Sequence, residues 1–206
     1  MHNSVPQSFY DLDELIALDV YHLRIDLSIF GRLSNIRRLR LNEVSPESVR
    51  HISETCTKVE EIISEDWPLE GNDCLENCRS LTSLSIRPDR LVCLPKSLNL
   101  KVLELYWIAE YAFMLDAEGY AVDVFKEALC SFKSLEKLTL IACFLDDYSF
   151  LSALKELKHL SIEYLPPIDL SSIPDLPKLV NLELLQHHYT MIRGNHINMN
   201  ESNTCV

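Results

Sequence analysis

The chain has 206 residues, 47% of them hydrophobic, and its 31 acidic side chains outnumber 19 basic ones, for a formal net charge of −12. This length and hydrophobic content suit one domain with a substantial core and argue against a disordered chain. The acidic balance disfavours nucleic acids and anionic membranes as partners, because phosphate groups require a basic surface. Only four glycines occur, without a GxGxxG or GxxxxGK[ST] pattern, which excludes the common phosphate-binding loops.

The first residues and the cysteines bear on the cellular compartment. Residues 1–8 lack the basic and then apolar pattern of a secretory signal, and no apolar run reaches the roughly 20 residues needed to span a bilayer. The seven cysteines are odd in number and scattered, which is untypical of a disulfide framework. We therefore predict a cytoplasmic or nuclear protein in which all thiols are free.

One apolar template recurs along the chain: apolar, two variable, apolar, two variable, apolar, one variable, apolar. Thirty of its 32 positions are apolar, whereas a hydrophobic content of 47% predicts about 15; the exceptions are Ser64 and Ser97. Successive copies are 19–23 residues apart, with one spacing of 35. Self-similarity at such a period indicates a repeat architecture. The eight copies begin at Leu12, Leu33, Cys56, Cys78, Ser97, Phe132, Leu154 and Leu176.

Seven of the eight copies end in an apolar pair separated by one residue, which places both side chains on one face of a strand. A unit of about 22 residues cannot bury that face alone, so neighbouring units are expected to stack and form one parallel sheet. The third template position should then align from strand to strand. Its residues are Leu18, Leu39, Ile62, Leu84, Leu103, Leu138, Leu160 and Leu182.

The segments between the strands differ along the chain. Ser45 and Pro46 are typical of a helix start, with Val49, Ile52 and Cys56 on one face of that helix. Residues 147–157 have apolar side chains at helical spacing and are predicted to be a second helix. Later segments contain Pro166, Pro167, Pro174 and Pro177, which favour extended or 3₁₀ structure. The predicted organisation is an N-terminal flank over 1–11, repeats over 12–187 and a polar tail over 188–206.

The 35-residue spacing predicts an insertion over about residues 106–131. It contains a helical apolar face, for which Asp123 is a suitable N-cap; the face comprises Val124, Phe125, Ala128, Leu129 and Phe132. The preceding residues 106–115 are strongly apolar for a loop. Two interpretations stay open: they cover an irregular part of the core, or they contact a partner.

The recurring string resembles the leucine-rich repeats, whose LxxLxL core appears at Leu81–Ile86, Leu135–Leu140 and Leu157–Ile162. This resemblance spans about residues 12–187 and implies an α/β solenoid, a curved horseshoe of about eight irregular repeats with a concave face lined by parallel strands. The family usually places asparagine or cysteine three residues after the last core leucine. Only Cys143 matches, with Asp89 as a substitute. We therefore expect irregular loops after the strands.

A narrower resemblance involves Cys56 and Cys78, each followed by an apolar LxxL-like string. Cysteine closing a helix at this place is similar to the repeats of F-box proteins, which select substrates for ubiquitin ligases. A weaker similarity, at Leu94–Leu105, is to the repeat region of nucleotide-binding immune receptors. The resemblances imply substrate recognition in a ubiquitin-ligase context or, alternatively, a sensor or autoinhibitory module of such a receptor.

No residue constellation predicts catalysis or a cofactor. Cys74 and Cys78 lack the spacing of zinc knuckles, and the histidines at 187, 188 and 196 lie where the repeats end. Neither a GxSxG elbow nor an HExxH helix occurs. The basic cluster of Arg37, Arg38 and Arg40 is better explained by acidic neighbours in adjacent repeats, because Asp19 and Arg40 share one repeat position. We predict a non-enzyme that binds neither metal nor nucleic acid.

The variable residues within and just after each motif are expected to line the concave face. That stripe includes Asp19, Tyr21, Ser85, Arg87, Thr139, Ile141, Ser161 and Leu185. Aromatic and acidic residues predominate outside the arginines, which suits a protein or peptide partner of basic character. The hypothesis centres on Glu104, Tyr106, Glu163 and Glu183. The full predicted partner-binding set is Arg38, Arg40, Glu61, Glu65, Glu104, Tyr106, Trp107, Glu163, Tyr164 and Glu183.

Overall fold

The computed structural model describes residues 14–20, 34–41, 45–64, 75–106, 122–143, 145, 147–163, 170–186 and 203–204. The strands in these ranges form one sheet in which the order in space follows the order in the chain. The first eight strands pair in parallel, and the last pairs antiparallel with the eighth. Their bounds are β1 Ala17–Val20, β2 Arg38–Leu41, β3 Glu61–Ser64, β4 Ser83–Ile86, β5 Val102–Tyr106, β6 Lys137–Ile141, β7 His159–Glu163, β8 Asn181–Gln186 and β9 Asn203–Thr204.

The strand register confirms the predicted alignment of the repeats. From Leu18 on β1 to Leu182 on β8, each residue at the third template position lies opposite its counterpart on the next strand. One strand per repeat, stacked in parallel in the order of the chain, is the architecture of a leucine-rich repeat solenoid. The predicted fold class is therefore confirmed.

The core lies on one side of this sheet and consists largely of template positions. In the central repeats these residues are fully or almost fully buried: Leu84, Ile86, Leu103, Leu105, Leu135, Leu138, Leu140, Leu157, Leu160 and Ile162. The two exceptions to the template differ from each other. Ser97 is exposed, so its polarity costs nothing, whereas Ser64 is 0% exposed and its hydroxyl has no hydrogen-bond partner among the described residues.

Helix α1, Pro46–Thr55, confirms the helix predicted after Ser45. The Ser45 hydroxyl accepts a hydrogen bond from the Ser48 amide at 3.2 Å, and Pro46 occupies the first helical position, where a missing amide proton is harmless. Ile52 and Cys56 are buried beneath the helix. Cys56 is its C-cap and donates its backbone N–H to the Ile52 carbonyl.

The helix predicted over residues 147–157 is wrong. The structure has a short 3₁₀ helix, Ser149–Ala153, followed by turns in which Leu154 and Leu157 donate their amides to the carbonyls three residues earlier. Apolar side chains at positions 151, 154 and 157 recur every third residue, which fits the three-residue turn of a 3₁₀ helix better than an α-helix. Further 3₁₀ helices lie at Pro88–Cys93 and Leu170–Ser172, and the latter confirms 3₁₀ structure among the late connections.

The insertion does not interrupt the sheet, because β5 pairs directly with β6 from Val102–Lys137 to Tyr106–Ile141. Its last part is helix α2, Val122–Ser131, which with the following turn buries Phe125, Leu129 and Phe132 in the core. Two predictions for this helix are wrong. Val124 is 47% exposed, since it lies about 100° around the helix from Phe125. Asp123 lies inside the first helical turn rather than before it.

The loop after β6 keeps the one side chain that matches the family pattern. Cys143 is buried, and its Sγ lies 3.7 Å from the Leu105 carbonyl oxygen of the neighbouring repeat and 3.6 Å from that of Ile141. Burial raises the pKa of this thiol, so it stays a neutral donor. Ala142 before it has a φ of 53°, in the left-handed region of backbone conformation. Asp89 belongs to the 3₁₀ helix Pro88–Cys93.

Candidate functional site

The sheet face opposite the core, called the open face below, carries side chains in columns that run across the strands. Because side chains alternate along a strand and the strands are in register, residues between core positions line up. The first column is Ala17, Arg38, Glu61, Ser83, Val102, Lys137, His159 and Asn181, and the central column is Asp19, Arg40, Ile63, Ser85, Glu104, Thr139, Ser161 and Glu183. A third column comprises Tyr106, Ile141, Glu163 and Leu185.

This register corrects the stripe predicted from the sequence. Arg40 lies opposite Ile63, whereas Glu61 lies opposite Arg38 and Ser83. The sequence reasoning named Glu61 and Glu65 for β3 and missed Ile63, although counting one residue on from Ile62 finds it. It also missed Lys137 on β6, which lies in the first column and is exposed.

The structure brings together only part of the predicted binding set. Glu104 and Tyr106 lie on β5, Glu163 on β7 and Glu183 on β8, so β6 separates the first pair from the other two. Arg38, Arg40 and Glu61 lie on β2 and β3, two or more strands from Glu104, and so form a separate region. Glu65, Trp107 and Tyr164 fall outside the described residues.

In the N-terminal region the basic cluster is paired with the next repeat. Arg37 forms an ion pair with Glu60 and Arg38 with Glu61. Asp19 and Arg40 are direct neighbours in the strand register, as their shared repeat position predicts. The arginines are therefore explained by contacts between repeats, as the sequence predicted. The partners of Arg37 and Arg38 are Glu60, just before β3, and Glu61, the first residue of β3.

A second ionic bridge lies at the N-terminal ends of β5–β7. The Glu136 carboxylate accepts from Lys101 Nζ at 2.8 Å and from Lys158 Nζ at 2.6 Å, so that one acid links three consecutive repeats. These two hydrogen bonds lower the pKa of Glu136 to about 2, and Glu136 in turn raises the pKa of Lys158. Lys178 similarly binds Glu156 at 2.6 Å.

Three carboxylates of the open face accept hydrogen bonds from neutral donors in the described part of the chain. Glu104 accepts from the Ser85 hydroxyl at 3.0 Å, Glu163 from the Ser161 hydroxyl at 3.4 Å, and Glu183 from the Asn181 amide at 2.8 Å. Within the part of the chain that the structure describes, no basic side chain forms an ion pair with any of them. No lysine or arginine within the described ranges therefore offsets their negative charges.

Small hydroxyl side chains form the floor between these carboxylates. Ser85, Thr139 and Ser161 lie in the central column and are buried although they belong to the open face. Their short side chains lie below the longer ones of Glu104 and Glu183, which flank Thr139 and Ser161 in the same column. The floor is therefore polar, low and bordered by acids.

The spacing of the carboxylates does not suit a metal ion. Strands about 4.8 Å apart place the Glu104 and Glu183 backbones about 14 Å apart, and those of Glu163 and Glu183 about 8 Å apart. No group of three His, Cys, Asp or Glu side chains in the described ranges is arranged to hold a metal ion. Likewise, none of the helices in those ranges is long and apolar enough to cross a bilayer.

No protein-family model matches the chain, and no curated protein matches it. Two solved structures of Listeria monocytogenes proteins have a loosely similar backbone. Internalin C2 is 18% identical with a TM-score of 0.48, and the alignment covers 85% of this chain and 74% of that one. Internalin F is 20% identical with a TM-score of 0.44 over 77% of this chain and 44% of that one. The fold assignment rests on the strand register given above.

Proposed function

We propose that this chain is a non-catalytic protein-binding module and that its partner docks on the open face over β5–β8. The observation that carries the proposal is the contrast between two sets of acids on or just before the strands. Glu60, Glu61, Glu136 and Glu156 are neutralised by lysine or arginine of neighbouring repeats. Glu104, Glu163 and Glu183 have no such partner among the described residues, which supports their availability to a positively charged partner.

Apolar surface beside these carboxylates supports the same site. Tyr106, Ile141 and Leu185 are half-buried in the third column; Ile141 and Leu185 lie on either side of Glu163, and Tyr106 lies one strand beyond Ile141. An aromatic residue flanked by aliphatic and polar neighbours is the composition found in interface hot spots. Complementary charge at the edge of such a patch accelerates association more than it strengthens the final complex.

The test uses immobilised chain to capture proteins from native lysate, followed by binding kinetics on the partner recovered. Tyr106→Ala should weaken binding by about 2 kcal/mol or more, because it removes the aromatic anchor. Glu163→Lys should mainly slow association and flatten its dependence on salt.

Glu127→Lys is the matched control, since Glu127 is exposed on α2 and the reversal changes the net charge equally. Loss of capture with Glu163→Lys but not with Glu127→Lys supports the open face. Unchanged capture by a Tyr106→Ala/Glu163→Lys double variant with an intact melting transition would move the site to the other side of the solenoid or to the insertion.

A narrower form of the proposal is substrate recognition in a ubiquitin-ligase context. Cys56 closes α1 as its C-cap, as the resemblance to F-box repeats implies, whereas Cys78 follows a turn at residues 75–77 in the structure. The alternative is the repeat segment of a nucleotide-binding immune receptor. Reading the coding sequence upstream of Met1 separates the two, because one requires an F-box and the other a P-loop nucleotide-binding domain. We also propose a cytoplasmic or nuclear location.

A further inference from the structure

We propose that copies of this chain associate end to end, with β1 of one copy pairing in parallel with the outer edge of β8 of the next copy. In this contact Ile16 of one copy lies beside Val180 of the other. The contact uses the two ends of the parallel sheet rather than the open face, so it goes beyond the proposed function and does not depend on it.

The first observation concerns the residue just before each parallel strand, called the pre-strand position below. Before β1 and β8, the two end strands, this residue is apolar: Ile16 is 59% exposed and Val180 is 81% exposed. With Leu182 they are three of the four large apolar side chains exposed among the described residues. Before the six interior strands the residue is polar, and five of the six form ion pairs between repeats; these residues are Arg37, Glu60, Thr82, Lys101, Glu136 and Lys158. Apolar surface at this position thus occurs only at the ends of the described sheet.

The second observation concerns the backbone and is independent of the side chains. At every junction between parallel strands, the carbonyl at the pre-strand position accepts from two amides of the next repeat, at 2.7 to 3.1 Å. The donors are the next pre-strand residue and the residue after it, as when Val180 and Asn181 donate to Lys158. Among the described residues, nothing donates to the Val180 carbonyl and nothing accepts from the Ile16 amide. One end of the sheet therefore offers the acceptor of this junction, and the other end offers the donor.

The outer edge of β8 has room for β1 in the same register. β9 pairs with Leu185 and Gln186 alone, which leaves Asn181–Leu184 without a strand beside them in the described part of the chain. Placing Leu18 beside Leu182, as the template requires, sets β1, Ala17–Val20, opposite these four residues. The new junction would repeat the contact between neighbouring repeats and cover the side chain of Leu182, which is 44% exposed.

The direction of association follows from the two ends being different. Two β8 edges facing each other would oppose two Val180 carbonyls, and two β1 edges would oppose two Ile16 amides. A head-to-tail contact instead matches the acceptor with the donor and keeps the strands parallel. Such a contact leaves one free end on each copy, so it continues into a chain of copies or closes into a ring.

Electrostatic repulsion opposes this contact and gives it a characteristic salt dependence. The chain has a formal net charge of −12, and the register would bring Asp19 of one copy beside Glu183 of the next. Asp19 already lies beside Arg40 within its own copy, which reduces the repulsion. Because salt screens like charges, we expect association to strengthen as the salt concentration rises. Binding of a basic partner to the open face should instead weaken.

The test is sedimentation velocity of the full chain from about 1 µM to about 200 µM, the range in which a weak contact becomes populated. We expect the average mass of the wild type to rise with concentration and to exceed that of a dimer. Ile16→Asp and Val180→Asp should each weaken association by about ten-fold or more, because each places a charge in the apolar contact. Both side chains are exposed, so thermal unfolding at low concentration should show that each variant still folds.

Mixing the two variants tests the head-to-tail direction. The Ile16→Asp copy keeps an intact Val180 end, and the Val180→Asp copy keeps an intact Ile16 end. An equimolar mixture should therefore recover one contact and stop at a dimer. Val124→Asp is the matched control, since Val124 is 47% exposed on α2 and the substitution adds the same charge away from both ends.

Several results would overturn the proposal. A wild type that stays monomeric throughout the concentration range would mean that another part of the chain or a different protein covers the ends. Equal losses with Val124→Asp would indicate general charge repulsion. If only one of the two end variants loses association, or if their mixture does not recover a dimer, the contact is not head-to-tail. None of these results bears on partner capture through Tyr106 and Glu163.

Discussion

Truncating one leucine at the same template position in two repeats tests whether the solenoid is stabilised as a linear stack. Leu138 on β6 has strands on both sides and is 0% exposed, whereas Leu182 on β8 is 44% exposed. Leu138→Ala loses the full transfer free energy and leaves a cavity, which costs about 2–5 kcal/mol. Leu182→Ala loses about half of the transfer free energy and leaves no closed cavity, so about 1 kcal/mol is expected.

These free energies convert to measurable shifts. For a chain of this size about 1 kcal/mol corresponds to roughly 2–4 °C in Tm. With a cost of about 3 kcal/mol, Leu138→Ala should lower Tm by about 6–12 °C, and Leu182→Ala by about 2–4 °C. Thermal unfolding followed by circular dichroism at one protein concentration measures both, and Leu160→Ala should behave like Leu138→Ala because it is almost fully buried.

Leu138→Met is the control for packing, since it conserves volume and should cost less than about 1.5 kcal/mol. Equal Tm losses for Leu138→Ala and Leu182→Ala would refute the reasoning. They would mean either that the Leu182 side chain is buried in solution or that the stability of a repeat does not depend on having a neighbouring repeat on each side.

Four further predictions concern buried or charged side chains. Ser64→Ala should raise the free energy of unfolding in urea by about 1 kcal/mol, because the buried Ser64 hydroxyl has no partner among the described residues; a loss would show that the hydroxyl is hydrogen-bonded. Lys101 and Lys158 lower the pKa of Glu136 from 4.5 to about 2, so the carboxylate stabilises the fold above pH 4.5 and this contribution disappears as the pH falls to 2. Glu136→Gln should therefore lower Tm at pH 7 and leave it unchanged near pH 2, with Glu127→Gln as the control; a Tm difference that persists at pH 2 would contradict the ionic explanation. Alkylation of denatured protein without reductant should label all seven cysteines by mass spectrometry, and two or more disulfides would contradict an intracellular location. In native protein the half-buried Cys130 should react before the buried Cys143, since burial raises the pKa of both thiols and also blocks access to Cys143.

The sequence predicted the parts of the fold that depend on local periodicity. The alternation at the end of each template determines which side of the strand is apolar, and burial of that side determines the register, since a slip by one residue would expose every core leucine. This is why the alignment from Leu18 to Leu182 could be predicted. The start of α1 was equally predictable, because Ser45 and Pro46 act within one helical turn.

Predictions were wrong where the apolar spacing fits both a 3₁₀ helix and an α-helix, and where a residue lies at the border between the buried and exposed faces of a helix. Apolar residues at 151, 154 and 157 satisfy a 3₁₀ helix as well as an α-helix, and the short connection to β7 decides for the tighter one. Val124 is apolar and adjacent to Phe125, yet only the packing of α2 determines which of the two is buried.

The candidate site was likewise predictable in part from local sequence and in part only from the tertiary structure. The apolar pattern alone determined that residues such as Glu104 and Glu183 lie on the face opposite the core, because side-chain direction alternates within each strand. Which carboxylates lack a cationic partner among the described residues was decided by tertiary structure. Glu136 and Glu104 are both glutamates beside core leucines, but Glu136 meets Lys101 and Lys158 from the repeats on either side, whereas Glu104 meets Ser85 and Thr139. Those neighbours are 19 to 35 residues away in the chain, and an ion pair forms only when the register brings two particular side chains within reach.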